Sequence, residues 1–395
     1  MTDWIKETSE YLVPFYERFP IVIVKGKKHL VYDSKGKCYL DLTCGIGVTS
    51  FGHANPVINR AIKNQLDKIL HISNLYHIPP QVELAKEICK KAFKGKCFFC
   101  NSGAEANDSA IKIARIYGNK QDPEKNKILS LRGSFHGRTI ATITLTGQDK
   151  YRKGFEPLLQ NIEFVEANNT EELKEKFSEK TCAIFLEAIQ GEGGINPLET
   201  SFLEVAKELS LKYNSLIIFD EVQTGIGRTG KYFGYQHFNI EPDIITIAKA
   251  LGNGIPIGAV LVKDKIASAM PSGMHASTFG GNYISCAAGI AVMKELNSAL
   301  LEHINKISGY FYEELNHIKN EFPSLIKEIR IFGLMIGIDL YEKIEVKSII
   351  NKFLDRGILT LRAGNNVLRL LPPFTIGEKE VDMFCKTFYA ILKEA

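Results

Sequence analysis

The feature that most constrains this chain is a series of short apolar runs rich in β-branched residues. They are "CFFC" near 97, "KILSL" near 127, "IEFVEA" near 162, "CAIFLEAI" near 182, "SLIIFDEV" near 215, "IITIA" near 244 and "GAVLV" near 258. Most are apolar at successive positions instead of alternating, the pattern of strands covered on both faces. Segments of helical period lie between them. In "AEANDSAIKIARIYG", Ala106, Ala110, Ile113, Ala114 and Tyr117 share one face, and "SFLEVAKELSLKY" places Phe202, Val205, Leu209 and Tyr213 in the same way. Strands alternating with helices predict an α/β fold on a mostly parallel sheet. The last two runs are joined by about ten residues, too few for a crossover helix, so the final strand is expected to be antiparallel.

With 395 residues there is room for a large core and a second, smaller domain. The character changes after "CAAGIAVMKEL" near 290. "ISGYFYEELNHIKNEF" is an amphipathic helix, and "IRIFGLMIGIDLY" and "NVLRLLPPF" look like strands of a smaller α+β domain. "HLVYDSKGKCYLDL" is a hairpin around Ser34, Lys35 and Gly36, expected to pack on that second domain. The expected division is an N-terminal segment 1–55, a large domain 56–305 and a small domain 306–395, with no internal repeat or low-complexity stretch.

The charge balance argues against a nucleic-acid partner. The formal net charge is only +4, with no basic stripe, and "KGKK" at Lys25 to Lys28 reads as a solvated turn. The acid-bearing start "MTDWIKETSEYLVPFYERF" lacks the apolar core of a signal peptide, and no apolar run approaches the roughly 18 residues of a membrane span. Eight cysteines without a secretory signal are expected to be reduced thiols in a cytoplasmic protein. Cys97 and Cys100 form a C-x-x-C without a second pair at zinc spacing; on a strand they face opposite sides, so they read as packing residues and no metal site is expected. "GIGRTG", Gly225 to Gly230, matches a dinucleotide fingerprint, but no helix of regular period follows, and Asp220 and Glu221 just upstream would repel a pyrophosphate.

Three features converge on the lysine that ends "IITIAK". Lysine is seldom buried without a partner, yet Lys249 closes a buried strand and is followed by Gly252, Gly254 and Gly258. "CNSGAEAND" runs a strand into a helix through Ser102, Gly103 and Ala104, which exposes backbone N–H groups to an anion. Asp220 in "LIIFDEVQTG" emerges at the carboxyl edge of the sheet, where ligands of open α/β folds bind. "RGSFHGRT" puts Phe135 beside His136 and Arg138 in a loop. Each has a bland reading alone, as a strand cap, an ordinary turn, a helix cap or a surface loop. Together they suit pyridoxal phosphate, which needs an amine for its aldehyde, an acid for its ring nitrogen and a seat for its phosphate. On this reading the glycines let backbone pass close to the cofactor.

With "LDLTCGIGVTSFGH", "FFCNSGAEAN", "SFHGRT", "EAIQGEGG", "IIFDEVQTGIGRTG", "IAKALGNGIPIGA" and "STFGGN" in order, the chain resembles the class III pyridoxal-phosphate aminotransferases from about Phe15 onward, and is most similar to their acetylornithine branch. The resemblance implies a fold-type-I homodimer with active sites at the interface. It makes Lys249 the cofactor-bearing and catalytic residue. Asp220 pairs with the ring nitrogen, Gln223 sits by the ring hydroxyl, and Ser102, Gly103 and Ala104 take the phosphate. Phe135 stacks on the ring, and Thr278 reaches the phosphate of the neighbouring subunit's cofactor, with Ser277 beside the substrate. Glu192 and Arg369 form a switch: paired, they leave a neutral site for a terminal amine; unpaired, Arg369 grips the α-carboxylate of 2-oxoglutarate, while Arg138 holds the distal carboxylate.

The implied reaction moves the δ-amine of N2-acetylornithine to 2-oxoglutarate in two half-reactions, as a step of arginine biosynthesis. Ornithine enzymes of the family carry a tyrosine where this chain has Ile46, which favours an acylated donor. Succinylornithine, N-succinyl-diaminopimelate, ornithine and 4-aminobutyrate are alternative donors, and an aminomutase or racemase is the alternative of another class. The chain departs from the family pattern at Ala188 and Tyr283, where proline is usual.

Overall fold

A computed structural model describes residues 3–394. Its centre is a seven-stranded sheet in the order Gly95–Cys100, Gly258–Lys263, Ile244–Ile247, Leu216–Asp220, Thr181–Leu186, Lys127–Leu131, Ile162–Val165. All seven apolar runs are therefore strands of one sheet. Five of them pair in parallel, and Gly258–Lys263 runs antiparallel to both its neighbours, as its short connection requires.

The inner strands are buried on both faces because each face has its own core. Leu129, Leu131, Ile184, Leu186, Ile217, Phe219, Ile245 and Ile247 point to one side, where Phe202, Leu203 and Ala206 of helix Thr200–Lys212 cover them. Ile128, Ala183, Phe185, Ile218 and Val260 point to the other, under Ala106, Ala110 and Ala114 of helix Gly103–Asn119. Cys97 and Cys100 fall to opposite faces as expected, and all eight cysteines are unpaired.

The C-terminal part carries an antiparallel sheet of Ile326–Phe332, Met335–Leu340, Val367–Leu370 and Leu361–Ala363, packed by helices Ser298–Glu321, Val346–Asp355 and Glu378–Lys393. "IRIFGLMIGIDLY" is thus a hairpin of two strands, turned at Gly333 with φ 55°. The N-terminal hairpin is joined to the C-terminal part of the chain: Cys38–Asp41 pairs in parallel with Ile358–Leu359. "KGKK" is not a turn. Lys25 and Lys27 lie in the edge strand Ile23–Lys27, where exposed lysines discourage further pairing, and only Lys28 begins the turn. Among the described residues no single helix is long and apolar enough to cross a membrane.

"GIGRTG" leads into turns and not into a helix. Its arginine has a different task. Arg228 is fully buried and donates to the carbonyls of Leu334 (2.8 Å) and Pro372 (2.6 Å) and to Ser50 Oγ (2.6 Å), with its guanidinium 4.8 Å from the Phe374 ring. One side chain so fastens the large sheet's loop to the N-terminal segment, to the turn before Met335–Leu340 and to the chain just after the strand that carries Arg369.

Candidate active site

Register assembles the site. Asp220 pairs with Thr246 on the neighbouring parallel strand, so Lys249 emerges just beyond the same edge. The antiparallel strand brings a third element there: its first residues pair with Cys100 and Ile247, the ends of two other strands. Ser102, Asp220 and Lys249 consequently line one cavity of about 370 Å³, together with Gly103, Ala104, Phe135 and Gln223.

Ser102 is the N-cap of helix Gly103–Asn119, and its Oγ accepts from the Glu105 N–H at 3.1 Å. That leaves the N–H groups of Gly103 and Ala104 at the cavity, where the helix dipole favours an anion. A Cβ on Gly103 would meet Val222 Cγ1 at 2.8 Å, so glycine lets the cup close against the "DEVQ" loop. The glycines after Lys249 have a reason different from the expected one. A Cβ on Gly252 would strike the Ile255 carbonyl and one on Gly258 the Ser102 carbonyl, so both make room for protein backbone; of the three, only Gly254 lines the cavity.

Asp220 is held from several sides. Its Oδ2 accepts from His136 Nδ1 (2.8 Å) and Asn107 Nδ2 (2.7 Å), and its Oδ1 from the Val222 N–H (2.9 Å). Asn107 also donates to the His136 carbonyl and accepts from Thr246 Oγ1 at 2.6 Å. Sequence reasoning assigned no role to Asn107 or His136; a buried asparagine on the first helix turns facing the sheet was the available signal. It also missed Glu187. This carboxylate lines the cavity and accepts from the N–H groups of Phe135 (3.0 Å) and Gly191 (3.3 Å), and burial pushes its carboxyl up to about 7.

Lys249 has φ 44°, a left-handed conformation that costs a residue with a side chain and concentrates at functional sites. Its ammonium finds no carboxylate or carbonyl within bonding distance among the described residues. Burial lowers its pKa below the usual lysine range, and the Arg369 guanidinium adds to that, against Glu192, Asp220 and Glu187.

Glu192 and Arg369 are bonded at 2.6 Å, and Arg369 also reaches Gln223 Oε1 (3.3 Å) and the Gly191 carbonyl (3.2 Å). Burial alone would raise the Glu192 carboxyl, but the arginine outweighs it and holds the pKa below the usual range. Arg138 is exposed beside Phe135, 5.4 Å from its ring centroid. Neither Ser277 nor Thr278 is brought to the cavity: both line a separate surface cavity with Asn74, Phe98 and His275, and Ser277 touches the first only through Asn101, whose Nδ2 donates to its Oγ at 3.3 Å.

Ile46 sits at φ 64° in a left-handed run from Cys44 to Gly47, exposed next to Val48 of the cavity wall. The two departures from the family pattern are mild. Tyr283 is the first residue of helix Tyr283–Glu295, where a proline would have forfeited no helical bond. Ala188 keeps its carbonyl bond from the Leu198 N–H.

A helix N-terminus for an anion, a buried carboxylate, an aromatic face and an unpartnered amine fit pyridoxal phosphate as the cofactor of such a cavity. Comparison with known proteins agrees. The acetylornithine aminotransferase of Caldanaerobacter subterraneus subsp. tengcongensis is 45% identical over 98% of both chains. The acetylornithine/succinyldiaminopimelate aminotransferase of Buchnera aphidicola is 43% identical over 98% of this chain and 95% of its own. The crystal structure of the ornithine aminotransferase from Toxoplasma gondii superimposes with a TM-score of 0.95 at 28% identity, covering 100% of this chain and 96% of that one. The sequence profile of "Aminotransferase class-III" matches residues 12–392, and the chain belongs to that family.

Proposed function

We propose that this protein transfers the δ-amino group of N2-acetylornithine to 2-oxoglutarate, giving N-acetylglutamate 5-semialdehyde and glutamate, in the cytoplasm and as a step of arginine biosynthesis. The observation that carries the reading is the unpartnered Lys249 amine, which shares one cavity with Asp220 and the helix N-terminus. Relatives named for acetylornithine at 43–45% identity support the donor.

Pyridoxal phosphate, when bound, supplies an aldehyde for Lys249 and an electron sink for the pair left when a proton leaves the substrate's amine-bearing carbon. The N–H groups of Gly103 and Ala104, with Ser102, would seat its phosphate. Asp220 would bind its ring nitrogen, Gln223 its hydroxyl, and Phe135 would cover a face. Lys249 Nζ would carry the proton from the substrate carbon. Its lowered pKa leaves more of the neutral amine available near pH 7.

Two substrates then share one pocket. With Glu192 on Arg369, the site offers no free charge to a terminal amine. With Glu192 withdrawn, Arg369 can bind the 2-oxoglutarate α-carboxylate through two parallel N–H bonds. Arg138 would hold the carboxylate at the far end of either substrate. The position of Thr278 away from its own cavity supports a homodimer in which it serves the neighbouring site, with Ser277 by the substrate. Exposed apolar side chains such as Phe15 (87%), Leu75 (90%) and Phe279 (61%) support the same reading. We also propose the domain division at 55/56 and 305/306, with helix Ser298–Glu321 carrying the chain across the second point.

Initial rates with N-acetylornithine, N-succinyl-diaminopimelate, ornithine and 4-aminobutyrate, each with 2-oxoglutarate, test the assignment. N-acetylornithine is expected to be fastest, and a clear preference for free ornithine would refute it. The doubly named Buchnera relative favours N-succinyl-diaminopimelate as a second donor.

A further inference from the structure

The geometry points to Tyr151 as a positioning residue that aims Arg138, an inference that rests on Arg138 as the reader of the distal carboxylate. Arg138 finds no carboxylate or carbonyl partner among the described residues. Its guanidinium is instead held over two rings, 4.2 Å from the centroid of Tyr151 and 5.4 Å from that of Phe135. The rings meet edge to face, 5.5 Å apart at 79°, and form a corner into which the cation fits.

The consequence lies in what the rings leave free. A carboxylate that fixed Arg138 would occupy the N–H fork that a substrate carboxylate needs, as Glu192 does on Arg369. Aromatic faces attract the cation through their quadrupole and accept none of its five N–H bonds. Arg138 is thereby oriented while its whole fork stays available, so it can serve both half-reactions without a partner that must move away. Phe135 belongs to the cavity wall, whereas Tyr151 stands outside it on the short helix Asp149–Arg152 and is only partly buried. The exposed Lys150 ammonium lies 4.8 Å from the same ring, so the tyrosine gathers two cations at the mouth.

The test is steady-state kinetics of the cofactor-loaded enzyme with N-acetylornithine as donor. Two acceptors are compared: 2-oxoglutarate, and 2-oxopentanoate, which keeps the chain and lacks the distal carboxylate. Tyr151→Leu is expected to lower kcat/KM for 2-oxoglutarate about fivefold, through KM, with kcat within about twofold. Tyr151→Phe, which keeps the ring, is expected to stay within about twofold of the parent. For 2-oxopentanoate, Tyr151→Leu should change nothing. Arg138→Gln is the control and should cost 2-oxoglutarate about fiftyfold. If Arg138→Gln is costly but Tyr151→Leu is silent, the role of Tyr151 is overturned while that of Arg138 stands. If Arg138→Gln is itself silent, the underlying reading of Arg138 fails. Equal losses on both acceptors, or a Tyr151→Phe variant as poor as Tyr151→Leu, would overturn the aromatic clamp.

Discussion

In the cavity wall Asp220 is held by His136, Asn107 and the Val222 N–H, whereas of the two cations on the substrate side Arg369 lies buried behind Gln223 with one carboxylate and Arg138 lies exposed with none. The donors to Asp220 come from a helix, a loop and the strand's own continuation, so no single movement releases the carboxylate. The substrate-side cations are held by contacts that can be exchanged or that leave the N–H groups free. One pocket can so serve a fixed cofactor and two substrates of unlike charge: the permanent guest has an over-determined side, and the transient ones have a side where charge can be re-paired.

Removing the charge of Asp220 should have the largest effect. Asp220→Asn is expected to lower kcat by about 10³-fold or more, because Glu187, the other cavity-lining carboxyl among the described residues, is committed to the N–H groups of Phe135 and Gly191. A loss under tenfold would break the comparison. On the substrate side, Glu192→Ala leaves Arg369 without a carboxylate. The half-reaction with 2-oxoglutarate should survive, and that with the amine should slow about 10- to 100-fold, measured as separate single turnovers. Equal losses in both halves would show that the pair is a fixed strut.

Glu187 ties the two sides together through Phe135 and Gly191, and it leaves a mark on stability. Its folded-state pKa of about 7 exceeds the ordinary 4.5, so the native state binds more protons than the unfolded one between those values. Stability from this group is fully present below about pH 4.5 and is lost as pH rises through 7, by about 3 kcal/mol in total. Urea midpoints across that range should decline more steeply for the parent than for Glu187→Gln, and parallel curves would count against it. The smallest effect is expected at the rim. Ile46 is a β-branched residue at φ 64°, and Ile46→Asn, which tolerates that conformation, should raise stability by about 0.5–1 kcal/mol. A drop in the urea midpoint would mean that the isoleucine packs on something that outweighs its strain.

The parts of this molecule that were legible in its sequence are those with a local signature. Seven apolar runs are seven strands, the short connection before Gly258 gives an antiparallel pairing, and Ser102, Asp220 and Lys249 meet at one edge because strand ends are where open sheets place ligands. The illegible parts depend on contacts between distant segments. Arg228 sits in a motif whose dinucleotide reading already fails on the sequence, which leaves the arginine without a role, and only the fold supplies the carbonyls of Leu334 and Pro372 that satisfy it. Tyr151 carries no motif, and its relation to Arg138 exists only once the loop and the short helix are packed together. The lysines of "KGKK" were misplaced because an edge strand and a turn are equally polar on the outside.

The central claim is that Lys249, with the groups around it, binds pyridoxal phosphate and first accepts the amine of N-acetylornithine. The most direct measurement follows the cofactor's absorbance in the purified, cofactor-loaded protein during titration with N-acetylornithine, ornithine and 4-aminobutyrate separately, with no 2-oxo acid present. N-acetylornithine is expected to bleach the lysine-bound absorbance fastest and at the lowest concentration, and Lys249→Ala is expected never to acquire that absorbance. A protein that acquires no such absorbance, or one bleached first by ornithine or 4-aminobutyrate, would contradict it.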